Sequence, residues 1–129
     1  MAAAAGSYVN AAPAEAAERV GAGAKFLDVR TAEEFAEGSA PGAINVPLVF
    51  ITDGQSTPNP DFEAQVAAAL PDQGAAVVTS CMFGRRGEGA AKKLAAAGYA
   101  DIVNVTGGLA GWHGAGLPTT GDIKIPESH

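Results

Sequence analysis

Apolar runs alternate with amphipathic stretches along the chain, and this pattern predicts alternating strands and helices. The run AAVVTS at 75–80 does not alternate with polar residues, which favours a central, parallel strand. The other strand candidates are SYVN at 7–10, KFLDV at 25–29, AINVP at 43–47 and DIVNV at 101–105.

Capping signals bound the helices that we expect between these strands. Asn10 is a candidate cap for a first helix, with Pro13 in its first turn. Thr31 with Glu34 three residues later predicts a capping box for a short helix, which Gly38 ends. Later helices are expected over 60–70, from near Gly87 to Gly98, and after the glycine-rich turn that begins at 107.

The order of these elements predicts an α/β fold with a mostly parallel central sheet and helices on both faces. Thr52–Pro60 has the composition of turns and is expected to be an exposed loop. We expect a single domain over 1–129, with its core at about 8–120, a flexible stub at 1–7 and an irregular tail at 121–129. In such sheets, ligands bind outside the carboxyl ends of the strands.

Composition and charge narrow the classes of partner. The 129 residues are 47% hydrophobic, which is typical of a globular protein, and no apolar run approaches the ~20 residues of a membrane span. The net charge of −6 repels nucleic acid and anionic membranes, so we expect neither as a partner. Four of the eight Lys and Arg residues nevertheless lie close together near the single cysteine: Arg85, Arg86, Lys92 and Lys93.

The N-terminal residues leave the compartment open. MAAAAGSYVN lacks the charged and apolar regions of a signal peptide. Such an Ala-rich stub also fits the remainder of a cleaved transit peptide. A single cysteine cannot form an intramolecular disulfide, which suits a reducing compartment or a catalytic thiol. The expected location is therefore the chloroplast, after removal of a transit peptide, or the cytoplasm.

That single cysteine, Cys81, lies where a predicted strand ends and a helix begins. Backbone N–H groups in such a loop can converge on an anion, and the positive end of the following helix adds to their effect. Together with Arg85 and Arg86 they favour the thiolate over the thiol. The residues alone also allow a plainer interpretation, in which Cys81 is an inert core residue and the arginines are a solvated face.

The stretch CMFGRR resembles the active-site loop of the rhodanese (thiosulfate sulfurtransferase) family, whose pattern is C-x-x-G-x-R followed by Ser or Thr. Cys81, Gly84 and Arg86 match this pattern, while Gly87 stands where Ser or Thr is usual. That departure removes a hydroxyl that could hydrogen-bond the persulfide or the substrate.

Three further segments resemble family motifs in the same order, namely DVR…EEF at 28–35, GSAPGAINVP at 38–47 and GGLAGW at 107–112. Ser39 stands where the family usually has His. The resemblance runs from about Tyr8 to Thr120 and is similar to the small single-domain sulfurtransferases of plants and algae.

The resemblance implies a rhodanese-like domain that moves a sulfane sulfur from thiosulfate or a similar donor, through a Cys81 persulfide, to cyanide or a thiol. It implies Cys81 as the nucleophile and Arg86 as the second catalytic residue. The expected substrate-binding residues are Met82, Phe83, Gly84, Arg85 and Gly87. Asp28, Arg30 and Trp112 are expected to give structural support.

The resemblance implies that no cofactor is needed. No metal is expected either, because His113 and His129 lie far apart in the sequence and lack cysteine partners for a zinc site. We expect a monomer, and a protein thiol remains open as an acceptor. Two alternatives also stay open. One is a non-catalytic rhodanese module that binds protein partners. The other is a cysteine phosphatase or arsenate reductase, which needs C-x5-R, whereas here that spacing reaches Gly87.

Overall fold

The computed structural model describes residues 7–126 of the chain. Its strands are β1 (Val9–Ala11), β2 (Lys25–Asp28), β3 (Gly38–Ser39), β4 (Ile44–Asn45), β5 (Val49–Thr52), β6 (Gln55–Pro58), β7 (Ala76–Ser80), β8 (Asp101–Val105) and β9 (Thr120–Gly121). Its helices are α1 (Pro13–Gly21), α2 (Ala32–Glu37), α3 (Phe62–Ala69), α4 (Arg85–Ala97) and α5 (Gly108–Gly114). Within the described range, no helix is long and apolar enough to cross a membrane.

Five parallel strands form the central sheet in the order β1-β8-β7-β2-β4. β7 lies in the middle, as its unbroken apolar run predicts, with Ser80 paired to Asp28 of β2. This register brings the carboxyl ends of β2 and β7 to the same edge of the sheet. The α/β fold with a parallel central sheet is therefore confirmed.

Two apolar cores cover the two faces of this sheet. Successive strand residues point to opposite faces, so Leu27 belongs to one core and Phe26 to the other. The first core packs α3 and α4 against the sheet, with Phe62 and Leu94 among its buried side chains. The second packs α1 and α5, and includes Trp112. Helices on both faces follow directly from this alternation.

The prediction of an irregular loop at 52–60 is wrong, because part of this segment is paired as a strand. Thr52 ends β5, and Gln55–Pro58 pairs with β5 as an antiparallel hairpin. The connecting residues Asp53 and Gly54 both have positive φ, at 52° and 78°, as a two-residue type I′ turn requires. The hairpin is exposed as expected, but its backbone is ordered by strand pairing.

Two helix starts also differ from expectation. α4 begins at Arg85, two residues before the expected Gly87, because Gly84 adopts a left-handed conformation (φ 108°) at the N-cap. Both arginines therefore lie in the first helical turn. Asn10 does not cap α1, whose N-cap is Ala12. The Asn10 side chain instead bonds to those of Glu88 and Asn104.

The capping box at Thr31 and Glu34 is present as predicted, and Gly38 follows the end of α2. The tail is not irregular throughout, because Gly121 pairs with Gly38 in the short antiparallel pair of β9 and β3. The expectations for residues 1–6 and 127–129 lie outside the described residues.

Candidate active site

Cys81 follows β7 directly, at the carboxyl edge of the central sheet. Its side chain is buried, with 1% exposure for the residue, and its Sγ atom accepts a hydrogen bond of 3.0 Å from the backbone N–H of Gly84. A backbone N–H aimed at sulfur stabilises negative charge there. The loop therefore has the geometry of an anion site around a thiol.

The N-terminal turn of α5 supports this loop from behind. Leu109 donates its backbone N–H to the Cys81 carbonyl at 2.6 Å, and Ala110 donates to the Met82 carbonyl at 2.9 Å. A Cβ atom on Gly108 would collide with the Cys81 carbonyl oxygen and with the Gly84 nitrogen. Gly108 therefore allows close contact between α5 and the cysteine loop.

Arg86 reaches from the first turn of α4 to Glu34 of α2. Its two terminal nitrogens donate to the two carboxylate oxygens at 2.7 Å and 3.1 Å, in the bidentate arrangement that arginine favours. Both side chains are about three-quarters buried. The hydrogen-bonding partner of Arg86 is therefore a carboxylate on another helix.

The ion pair shifts the pKa values of both partners. The hydrogen bond to Glu34 raises the pKa of Arg86 against the opposing effect of burial, and negative charge on Glu34, Cys81 and Asp28 adds to that rise. Burial alone would raise the pKa of Glu34. The hydrogen bonds from Arg86 and from the Thr31 backbone outweigh burial and hold it below the ordinary value of 4.5. Both groups are therefore charged at neutral pH.

Arg85, at the variable position of the motif, is exposed. Within residues 7–126 it forms no salt bridge. Arg85 and Arg86 both line a cavity of about 410 Å³ that also contacts Cys81. The cavity therefore carries two guanidinium groups, of which one is fixed by a carboxylate.

The opposite wall of this cavity comes from the β5–β6 hairpin, through Val49, Ile51, Gly54 and Ser56. Phe83, which is expected to bind substrate, also lines the cavity. Met82, which is expected to bind substrate as well, is 6% exposed and lies in the interior.

Gly87 lies behind the loop, where α4 packs against β7 and β8. A Cβ atom at this position would overlap Oδ1 of Asn104 and would lie 3.2 Å from Cα of Ser80. Thr79 donates its hydroxyl proton to the Gly87 carbonyl at 3.0 Å, and Asn104 donates to the Gly84 carbonyl at 3.3 Å. The residue expected to bind substrate therefore packs the helix against the sheet.

The expected support residues are buried close to the site. Arg30 makes a bidentate ion pair with Asp28, with contacts of 2.8 Å to 3.1 Å, and donates to the carbonyl of Gly38 at 2.6 Å. It also donates to the carbonyl of Glu34 at 3.1 Å, which fixes the helix that carries the partner of Arg86. Trp112 lies apart from the cavity lining, edge-on to Phe26, and donates its indole N–H to Pro118.

The sequence indicated Glu34 as a capping residue and as part of the EEF segment, but not as the partner of Arg86, and it did not indicate Val49 or Ile51. The Asp53-Gly54 dipeptide is a hairpin signal that could have predicted the β5–β6 turn. The contact between that hairpin and the cysteine loop has no local signal. Among the described residues, no group of three or more His, Cys, Asp or Glu side chains could hold a metal ion.

Comparison with known proteins agrees with this fold. Residues 12–115 match the rhodanese-like domain family, so this protein belongs to that family. The chain is 40% identical over 98 residues to thiosulfate sulfurtransferase 16, chloroplastic, of Arabidopsis thaliana, a match that covers 76% of this chain and 81% of that protein.

A second relative is the Arabidopsis thaliana protein HIGH ARSENIC CONTENT 1, mitochondrial, with 41% identity over 105 residues. The match covers 81% of this chain but only 60% of that longer protein. Among solved structures, a rhodanese-related protein from Thermoplasma volcanium superposes with a TM-score of 0.68 at 26% identity, covering 88% of this chain and 98% of that one.

Proposed function

We propose that this protein is a sulfurtransferase that carries a sulfane sulfur on Cys81. The observation that carries the proposal is the 3.0 Å hydrogen bond from the Gly84 N–H to the Cys81 sulfur, at the base of a cavity lined by Arg85 and Arg86. A thiolate in this setting is a nucleophile, and an anionic sulfur donor would meet positive charge on its way to it. Membership of the rhodanese-like family supports the same reaction.

In the first step, the Cys81 thiolate attacks the outer sulfur of thiosulfate or a similar donor. A new bond forms between Sγ and that sulfur. The bond between the two sulfurs of the donor breaks, and its electron pair leaves with sulfite. The product is a Cys81 persulfide, whose negative charge the preset N–H of the loop would stabilise.

In the second step, an acceptor such as cyanide or a thiolate attacks the outer sulfur of the persulfide. The bond to Sγ breaks and its electron pair returns to Cys81 as the thiolate. In this scheme Gly84 and Phe83 shape the sulfur site, Arg85 attracts the donor, and Arg86 is the second catalytic residue of the loop. Both steps balance without an external oxidant or reductant.

The test is the intact mass of the protein after incubation with thiosulfate and removal of excess reagent. We expect a gain equal to one sulfur atom, and its loss on addition of cyanide with formation of thiocyanate. Cys81→Ser should fold, as judged by circular dichroism, but neither gain sulfur nor form thiocyanate. Unchanged turnover in that variant would contradict the mechanism, and an unmodified wild-type mass would favour a non-catalytic module.

The spacing of the loop argues against a phosphatase or arsenate reductase. Six residues run from Cys81 to Arg86, one fewer than in the C-x5-R loop that surrounds a tetrahedral oxyanion. Arg86 is in addition held by Glu34. Release of phosphate from an aryl phosphate, or reduction of arsenate by a thiol, would contradict this part of the proposal.

We further propose that the chain forms one domain, acts as a monomer and works in an organelle. The last point rests on relatives named chloroplastic and mitochondrial. Light scattering of the purified protein tests the monomer, a single cooperative unfolding transition tests the domain, and cell fractionation tests the compartment.

A further inference from the structure

The β5–β6 hairpin presents one face to the cavity beside Cys81 and the other to solvent. Side chains alternate along a strand, and Val49 and Ile51 of β5 both line the cavity. Ser56, which pairs with Ile51 across the hairpin, lines it too. Phe50 lies between the two lining residues of β5 and is not part of the lining.

The cavity is larger and has more apolar lining than the binding of an inorganic sulfur donor requires. Thiosulfate has no carbon, and cationic groups and N–H donors are enough to bind it. A volume of about 410 Å³ lies in the range of roughly 300–1,000 Å³ that organic ligands occupy in proteins. Apolar Val49, Ile51 and Phe83 line it beside Arg85 and Arg86, and among residues 7–126 no carboxylate residue belongs to the lining.

We propose that Ile51 is a specificity-determining residue, which selects organic thiols that carry a negatively charged group as sulfur acceptors. This inference rests on the proposed sulfurtransferase function and concerns its second step. The acceptor thiolate attacks the outer sulfur of the Cys81 persulfide, forms a new S–S bond and releases the Cys81 thiolate. The methylene groups of the acceptor contact Ile51, and the anionic group of the acceptor faces Arg85.

Ile51 is the member of the lining best placed for this role. It is 47% exposed, whereas the neighbouring Val49 is only partly exposed, so Ile51 lies at the mouth of the cavity. An exposed apolar side chain gains burial when the apolar part of a ligand contacts it, and a negatively charged group on the same ligand would meet the neighbouring arginine. Thiosulfate and cyanide cannot provide that apolar contact.

The hairpin supplies its own matched control. Phe50 is 43% exposed, close to the value for Ile51, but lies one position along the strand on the other face. Ile51→Ser and Phe50→Ser therefore remove apolar groups of similar exposure from opposite faces of one hairpin. Neither side chain is in the core, so both variants should fold. Ile51→Val keeps a branched apolar side chain and serves as the conservative variant.

The experiment measures kcat/KM for cyanide and for mercaptoacetate and its homologues with longer methylene chains, with thiosulfate as the donor. For each thiol, kcat/KM of a variant is divided by kcat/KM of wild type. The intrinsic reactivity of the thiol is the same in both values and cancels in this ratio. We expect kcat/KM of wild type to rise with chain length. Ile51→Ser should lower the value for the longest homologue by about tenfold, because methylene contacts of this kind discriminate on that scale.

In contrast, Ile51→Ser should lower kcat/KM for cyanide far less than kcat/KM for the longest thiol. Phe50→Ser and Ile51→Val should retain the dependence on chain length. Equal losses for cyanide and thiols in Ile51→Ser, or a chain-length dependence that survives this change, would overturn the role of Ile51 while leaving the sulfurtransferase function intact. A wild type that gains no sulfur from thiosulfate would instead overturn the proposed function, and this inference with it.

Discussion

Arg86 in the first turn of α4 and Glu34 in α2 form a bidentate ion pair, with N–O distances of 2.7 Å and 3.1 Å. The same Glu34 carboxylate accepts from the backbone N–H of Thr31 at 3.0 Å and so completes a capping box. One side chain thus joins the start of α2 to the helix that follows the cysteine loop. The orientation of Arg86 beside the thiol therefore depends on a helix cap elsewhere in the chain.

Glu34→Gln separates these two roles, because glutamine can still complete a capping box but cannot form the ion pair. We expect a loss of about 1 kcal/mol in the free energy of unfolding at neutral pH, measured by urea denaturation. Turnover with thiosulfate and cyanide should also fall, because Arg86 loses its fixed orientation. Glu33→Gln alters the exposed neighbouring carboxylate and serves as the control. Equal effects of both changes would show that the ion pair does not matter.

Acid should remove the stabilisation that the ion pair provides. The folded-state pKa of Glu34 lies below its ordinary value of 4.5, because the hydrogen bonds from Arg86 and Thr31 outweigh the effect of burial. A lowered carboxylate pKa contributes stability that is fully present above the ordinary value and is lost as the pH falls through the folded-state value. The difference in unfolding free energy between wild type and Glu34→Gln should therefore be constant near neutral pH and shrink in acid. A difference that grows below 4.5 would contradict this assignment.

Arg85 and Arg86 should respond differently to salt. Exposed charges that steer anions are screened as ionic strength rises, so Arg85→Ala should raise KM for thiosulfate at low salt, with a smaller effect at high salt. Arg86 is three-quarters buried in its ion pair, so Arg86→Ala should lower kcat at every salt concentration. Steady-state kinetics at low and high ionic strength decide between these patterns. The same salt-dependent defect in both variants would mean that the two residues are merely local positive charge.

Gly87→Ser introduces the residue type that is usual in the family motif, yet it should be harmful here. The added Cβ would overlap Oδ1 of Asn104, so the variant should lose about 1–3 kcal/mol of stability in urea denaturation, as is typical of overpacking. Asn104→Ser removes the obstructing amide. The double variant should therefore cost less than the sum of the single changes. Additive costs would show that Asn104 is not the obstacle.

Local signals account for the parts of the structure that the sequence predicts well. The central position of β7 follows from an apolar run, and the capping box at Thr31 and Glu34 follows from a spacing of three residues. The cysteine loop follows from six consecutive residues and the predicted strand before them. Each of these signals lies within a few residues of the feature that it predicts, so it can be read along the chain.

Other features depend on contacts between distant segments. The family resemblance implied that Met82 and Gly87 contact the substrate. Packing of α5 and α4 around the loop places Met82 in the interior and Gly87 against Asn104. A side chain beside a loop is buried or exposed according to what covers it, and the covering elements come from elsewhere in the sequence.

Local propensity and spacing are enough to predict the class of fold, the position of Cys81 at a strand end and the positive charge beside it. The pairing of Arg86 with Glu34, 52 residues away, and the position of Ile51 across the cavity from the thiol follow from the folded arrangement of distant segments. Ion pairs and cavity walls form wherever folding brings side chains within a few ångströms. Spacing along the chain does not determine that distance when the intervening segment folds as strands, turns and helices.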